Sequence, residues 1–148
     1  VPYDRELYLL APDETKVREA EVALAAIGHD RVVGGFGLDA IAARQLAGNI
    51  RKTRRHPIAD APTLADEGRM ILDVRDVEEW QGGHLPMAVL HPLSDLSSAL
   101  EDLDRTTPIA VHCEAGTRSA IGASLLETLG FSDVVELTGG WAEWQGEK

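Results

Sequence analysis

Cys113 is the one cysteine of this 148-residue chain, and it opens the run Cys113-Glu114-Ala115-Gly116-Thr117-Arg118-Ser119. The run follows the apolar segment Pro108 to His112 and precedes a helical pattern, so it reads as a loop wrapped onto a helix N-terminus. Such a loop aims several backbone N–H groups at one point, and the helix dipole adds partial positive charge there. Gly116 allows the positive φ that a nest of this kind uses, and Arg118 brings a full charge close by. The dipole, at up to ~2 kcal/mol, is worth roughly one to one and a half pKa units, so Cys113 is expected to be substantially ionised at neutral pH. An ionised sulfur in this cradle can attack a sulfane sulfur, release the rest of the donor and hold the transferred atom as a persulfide until a thiol or cyanide removes it. On this reading Cys113 is catalytic, while Glu114, Ala115, Gly116, Thr117, Arg118 and Ser119 form the substrate cradle. The plain alternative is a small, inert core cysteine.

Arg118 has two open readings, binding the anionic group of a donor or pairing with a nearby carboxylate to hold the loop. Ser119 reads as a hydrogen-bonding residue at the helix start. Asp73, at a strand end, could tie down the loop, and Arg75 with Glu79 reads as a surface pair. His84 and His112 are not needed as general bases beside a thiolate, and His112 directs its side chain to the opposite face of its strand from Cys113. Trp80, Trp141 and Trp144 read as core or pocket-wall residues. Glu114 either faces solvent or opposes a doubly charged donor such as thiosulfate. In the second case each charge pair costs on the order of 2 kcal/mol, and Glu114→Lys should raise kcat/KM for thiosulfate several-fold.

The elements that position this loop follow from the apolar pattern. Met70 to Val74 is a continuous apolar strand, Ala88 to Leu90 another, a helix runs from a Ser94 cap through Leu103, and Pro108 to His112 is the next strand. Ile121, Leu125 and Leu129, at i, i+4 and i+8, predict the buried stripe of the helix after the loop. Strand and helix alternate, which argues an α/β fold with a mainly parallel sheet flanked by helices. A gapless shift of 102 lays residues 7–40 on 109–142, with seven identities that include Leu24, Gly28, Val32, Val33 and Gly37. Each copy reads as strand, loop, helix ending in Gly, then strand, with Val17, Ala20, Leu24 and Ile27 on the stripe of the first. Cys113 falls on Ala11. The expected organisation is a partial copy over 1–50, a basic linker over 51–56 and a complete domain over 57–148.

Composition narrows the classes of function. Hydrophobic residues at 44% and charged residues at 26% support a packed core rather than disorder. A net charge of -11 opposes nucleic-acid or anionic-membrane binding, so neither is expected as a partner. The exception, Arg51-Lys52-Thr53-Arg54-Arg55-His56, reads as a solvated linker. A lone cysteine without a CxxC or histidine cluster builds no zinc site, and neither metal nor cofactor is expected. With no internal disulfide possible and no export signal in the opening residues, a reducing, cytoplasmic setting is expected.

Several motifs together resemble the rhodanese homology family over about residues 57–145. They are Asp73-Val74-Arg75, Glu79-Trp80, Gly83-His84-Leu85-Pro86, the loop Cys113 to Ser119, and Gly139-Gly140-Trp141. The resemblance implies a sulfurtransferase with a persulfide on the loop cysteine, a small sulfur donor such as thiosulfate or a persulfide, and a thiol or cyanide acceptor. The loop spacing, C-x4-R, looks like the sulfurtransferase form; the related cell-cycle phosphatases resemble it with a loop one residue longer. Met87 departs from the family, which more often has Gly after the Pro. The first copy resembles the back half of a degenerate rhodanese domain, of the kind found upstream of active ones in proteins that begin with a metallo-β-lactamase-fold domain. That resemblance implies such a domain upstream in the full-length protein. A non-catalytic regulatory or interaction domain with the same fold is the alternative.

Overall fold

The structure, a computed structural model, describes residues 3–48 and 52–146. It divides into two compact units, residues 1–52 and 53–148. The first contains β1 (Leu7–Leu10), α1 (Glu14–Ala26), β2 (Val32–Phe36) and α2 (Leu38–Leu46), with β1 and β2 paired in parallel. Its α1 begins at Asp13, whose carboxylate accepts the Lys16 N–H at 2.9 Å. Of the stripe expected on α1, Val17 is buried and Ala20 and Leu24 are half-buried, while Ile27 is 63% exposed.

The second unit contains β3 (Arg54–Pro57), a 3-10 turn (Ile58–Asp60), α3 (Ala61–Asp66), β4 (Met70–Asp73), α4 (Val77–Gln81), β5 (Ala88–Leu90), α5 (Leu96–Ala99), β6 (Ile109–His112), α6 (Thr117–Thr128), β7 (Val134–Thr138) and α7 (Gly140–Gly146). Five strands form one sheet in the order β3-β7-β6-β4-β5, with every neighbouring pair parallel. A parallel sheet needs cover on both faces, and the strands alternate accordingly. Leu72, Val74, Ile109, Val111 and Val134 pack with residues of α5 and α6, whereas Ile71, Ala110, Val135 and Leu137 pack with residues of α3 and α7.

Three expectations change. The basic run is not a linker: Arg54 to Pro57 form the edge strand β3, paired with Val135 to Thr138, and Arg51 lies outside the described residues. Its charges suit an edge, because they face acids on the neighbouring elements: Arg54 pairs with Asp133 and Arg55 with Glu136. The helix expected from Ser94 through Leu103 shrinks to Leu96–Ala99. Arg105 holds the chain beyond it in a turn by donating to the carbonyls of Leu100, Glu101 and Leu103 at 2.7 to 3.0 Å. The buried stripe of α6 is Ser119, Gly122, Ala123 and Leu126, while Ile121 is 54% exposed and Leu125 and Leu129 are half-buried. Small residues win this face because the helix lies close on the sheet; a Cβ on Gly122 would sit 3.3 Å from Val111.

Among the described residues, no helix is long and apolar enough to cross a membrane.

Candidate active site

Cys113 leaves the end of β6 at the centre of the sheet, and the seven residues from Cys113 to Ser119 turn the chain into α6. Gly116 makes the turn possible with φ 102°, a left-handed conformation that side chains resist. The turn brings the Gly116 N–H to 3.2 Å from Cys113 Sγ, and the Ser119 hydroxyl lies 3.6 Å from the same sulfur. The backs of the loop peptides are held from α7. Trp141 N–H donates to the Cys113 carbonyl at 2.9 Å and Ala142 N–H to that of Glu114 at 3.1 Å. With those carbonyls fixed outward, the peptide N–H groups are left for the sulfur. The approach is close enough that a Cβ on Gly140 would collide with both carbonyls, and Gly140 itself has φ 63°.

Cys113 is almost fully buried, 1% exposed, while the adjoining Ala115 and Thr117 are exposed. Burial pushes the thiol pKa up. Hydrogen bonding with the Ser119 side chain and from the N–H groups of Ser119, Gly116 and Ala115 outweighs it and sets the thiol below its ordinary value.

Two ion-pair systems brace the loop. Arg118 meets the Glu79 carboxylate with both terminal nitrogens, at 2.5 and 2.6 Å, and reaches Asp76 at 3.5 Å. This hydrogen bonding draws Glu79 down to about 2 against the opposing effect of burial. Of the two readings of Arg118, the loop-holding pair is the one observed. Arg75 is not a surface residue paired with Glu79. It is 1% exposed, and it bonds Asp73 at 2.8 to 3.1 Å, the Gly83 carbonyl at 2.8 Å and Glu114 at 3.1 Å. Its guanidinium also stands 5.2 Å from the Trp141 ring. Burial disfavours its charge, but Asp73 and Glu114 more than restore it, so its pKa lies above the ordinary value. Asp73 thus reaches the loop through Arg75. Glu114, 40% exposed at the side chain, is partnered by the buried Arg75, which it shares with Asp73.

His112 is opposite Asp73 in the β4–β6 register, with Nε2 3.6 Å from its carboxylate. Burial, the largest influence, holds His112 below its ordinary pKa despite Asp73. His84 stacks on Trp80 with ring centroids 3.8 Å apart. Neither histidine is hydrogen-bonded to the sulfur.

A profile of the Rhodanese-like domain family matches residues 58–147. The chain belongs to that family. Among curated relatives of this rhodanese-like chain, thiosulfate sulfurtransferase GlpE of Pseudomonas savastanoi pv. phaseolicola is 36% identical over 95 residues, covering 62% of this chain and 87% of that one. The Bacillus subtilis protein YrkF is 32% identical over 83 residues, and there the match spans 56% of this chain and only 45% of the relative's length. Among solved structures, a rhodanese-related protein from Thermoplasma volcanium superposes with TM-score 0.57 at 31% identity, covering 64% of this chain and 92% of its own. The human single-domain sulfurtransferase TSTD1 gives 0.60 at 22% identity, covering 66% and 99%, a likeness of fold.

One residue of the rhodanese-like site escaped the sequence reading. Glu136 is 3% exposed on β7 and accepts from the Ser119 hydroxyl at 3.2 Å. The available signal was a lone acid inside the apolar run Val134 to Leu137.

Proposed function

We propose that this protein is a sulfurtransferase that carries sulfane sulfur as a persulfide on Cys113. The observation that carries the reading is the Cys113 sulfur itself, enclosed by the N–H groups of a C-x4-R loop and shifted toward its thiolate. The Cys113 thiolate attacks the outer sulfur of thiosulfate or of a persulfide. A bond forms between Sγ and that sulfur while the donor's own sulfur–sulfur bond breaks, and the electron pair leaves with sulfite or a thiolate. The same N–H groups then face the new terminal sulfur, and a thiol or cyanide attacks it to regenerate the Cys113 thiolate. Arg118 holds the loop through Glu79, and Arg75 balances Glu114 beside the entering anion. The existence of relatives named sulfurtransferases supports this assignment.

We read the first unit as a degenerate half-copy of the same domain, with a metallo-β-lactamase-fold domain upstream in the full-length protein and a cytoplasmic setting. Mass spectrometry after incubation with thiosulfate or glutathione persulfide tests the central reading. The wild-type chain should gain one sulfur atom on Cys113, and Cys113→Ser none. No gain with either donor would leave a non-catalytic domain of the same fold.

A further inference from the structure

Strand β7 carries one charged side chain, Glu136, and the sulfur-transfer reading gives it no role. Its carboxylate is held between two partners. One oxygen accepts from the buried Ser119 hydroxyl at 3.2 Å, and the other lies 2.7 Å from Nε of Arg55, whose side chain is 65% exposed on β3. Ser119 Oγ is also 2.9 Å from the Gly116 carbonyl and 3.6 Å from Cys113 Sγ. A hydroxyl has one proton to give. The Gly116 carbonyl, the Glu136 carboxylate and a Cys113 thiolate can only accept, so an ionised sulfur competes for it with the nearby carbonyl and with a charged carboxylate. A protonated Cys113 meets no such conflict, because S–H donates to Ser119 and Ser119 donates to Glu136. We propose that Glu136 is a positioning residue for the Cys113 nucleophile, acting through the Ser119 hydroxyl, whose single proton it draws away from the sulfur.

The consequence for chemistry rests on the reading of Cys113 as the sulfur acceptor. A thiolate stabilised less is a stronger nucleophile, since nucleophilicity falls as thiol pKa falls. Glu136 therefore opposes the loop N–H groups and keeps the sulfur reactive where the nest alone would make it inert. Other charges bear on the same atoms. Arg118 with Glu79 and Asp76, Arg75 with Glu114 and Asp73, and His112 surround the Cys113 loop, while Arg55 is the ionic partner of Glu136.

Because Cys113 is the sole cysteine, its alkylation by iodoacetamide as a function of pH reports on this sulfur alone. In Glu136→Gln the amide donates to Ser119 Oγ, and the charged competitor with the sulfur for the hydroxyl proton is removed, leaving the neutral Gly116 carbonyl. The midpoint should fall by about one unit and the high-pH plateau by about threefold. Both changes should vanish when Glu136→Gln is made on Ser119→Ala. Arg55→Gln, at an exposed position, leaves the carboxylate a stronger acceptor and should raise the midpoint, again only with Ser119 present. An unchanged or raised midpoint in Glu136→Gln overturns the proposal, as does an equal fall in the Ser119→Ala background, which would mean simple charge removal. If Glu136→Gln does not fold, an unchanged midpoint in Arg55→Gln overturns it instead. Alkylation needs no sulfur donor, so failure of persulfide formation would strike the proposed function and leave this result standing.

Discussion

The first unit and the second half of the second unit are built on one plan, and only one of them holds a cysteine. At a shift of 102, β1 falls on β6 and β2 on β7 residue for residue, and α1 ends at Ala26 where α6 ends at Thr128. The difference lies in how each helix start spends its N–H groups. In the first unit the Asp13 carboxylate takes the Lys16 N–H. In the second no side chain caps α6, and Gly116 N–H points at sulfur. The Asp13 carboxylate satisfies the positive end of α1 and repels a second anion there, so a carboxylate cap and a thiolate cradle oppose each other. The floor differs as well. All four residues of β6 are buried, whereas Tyr8 and Leu10 of β1 are 67% and 57% exposed. Hydrogen bonds to an anion are weakened where water competes for it.

The largest test removes the difference outright. Cys113→Ser should reduce sulfur transfer to background, because a hydroxyl is not ionised in this cradle; donor-dependent turnover in that variant would break the comparison. The next moves the thiol to the other copy. With Cys113→Ser as background, Ala11→Cys should accept no sulfur and alkylate with an ordinary thiol midpoint. Adding Asp13→Ala should then lower that midpoint by up to about one unit by removing the carboxylate that opposes a thiolate at the helix start. If Asp13→Ala has no effect, the cap is not what separates the copies.

Gly116→Ala sharpens the role of the turn. The added methyl has open space around it, so the cost is backbone strain at φ 102°, about 1 kcal/mol in urea unfolding, together with a loss of kcat as the N–H groups turn from the sulfur. A neutral effect on both would show that the loop does not depend on that conformation.

Glu79 gives the second unit a pH signature; in the first, Lys16, the counterpart of Arg118, pairs with an exposed Glu19. The Glu79 pKa is lowered from 4.5 to about 2, so its contribution to stability is fully present above 4.5 and disappears as pH falls toward 2. The urea midpoints of wild type and Glu79→Gln should therefore differ most above pH 5 and converge near pH 2. A constant gap would mean that the pair contributes packing rather than charge. The smallest effect is expected for Glu114→Lys. Glu114 is already balanced by Arg75, so kcat/KM for thiosulfate should stay within about twofold at low and high salt. A several-fold gain would show that Arg75 does not shield the donor.

Much of this was legible in the chain. The apolar runs, the glycines and the order Cys113 to Ser119 are short-range features, and a strand feeding a loop at a helix start is decided within about twenty residues. The parallel sheet, the left-handed Gly116 and the matching of the two copies follow from that local pattern. What the tertiary structure decided is pairing across distance. Arg75 with Glu114 and Arg118 with Glu79 each join residues 39 apart, and exchanging those partners would alter no local periodicity. The basic run became an edge strand because β7 offered it a free parallel edge and acids to meet. Burial of Arg75 and Glu136 is likewise invisible to composition, since a charged residue enters a core only when a specific partner waits there, and the fold alone brings that partner.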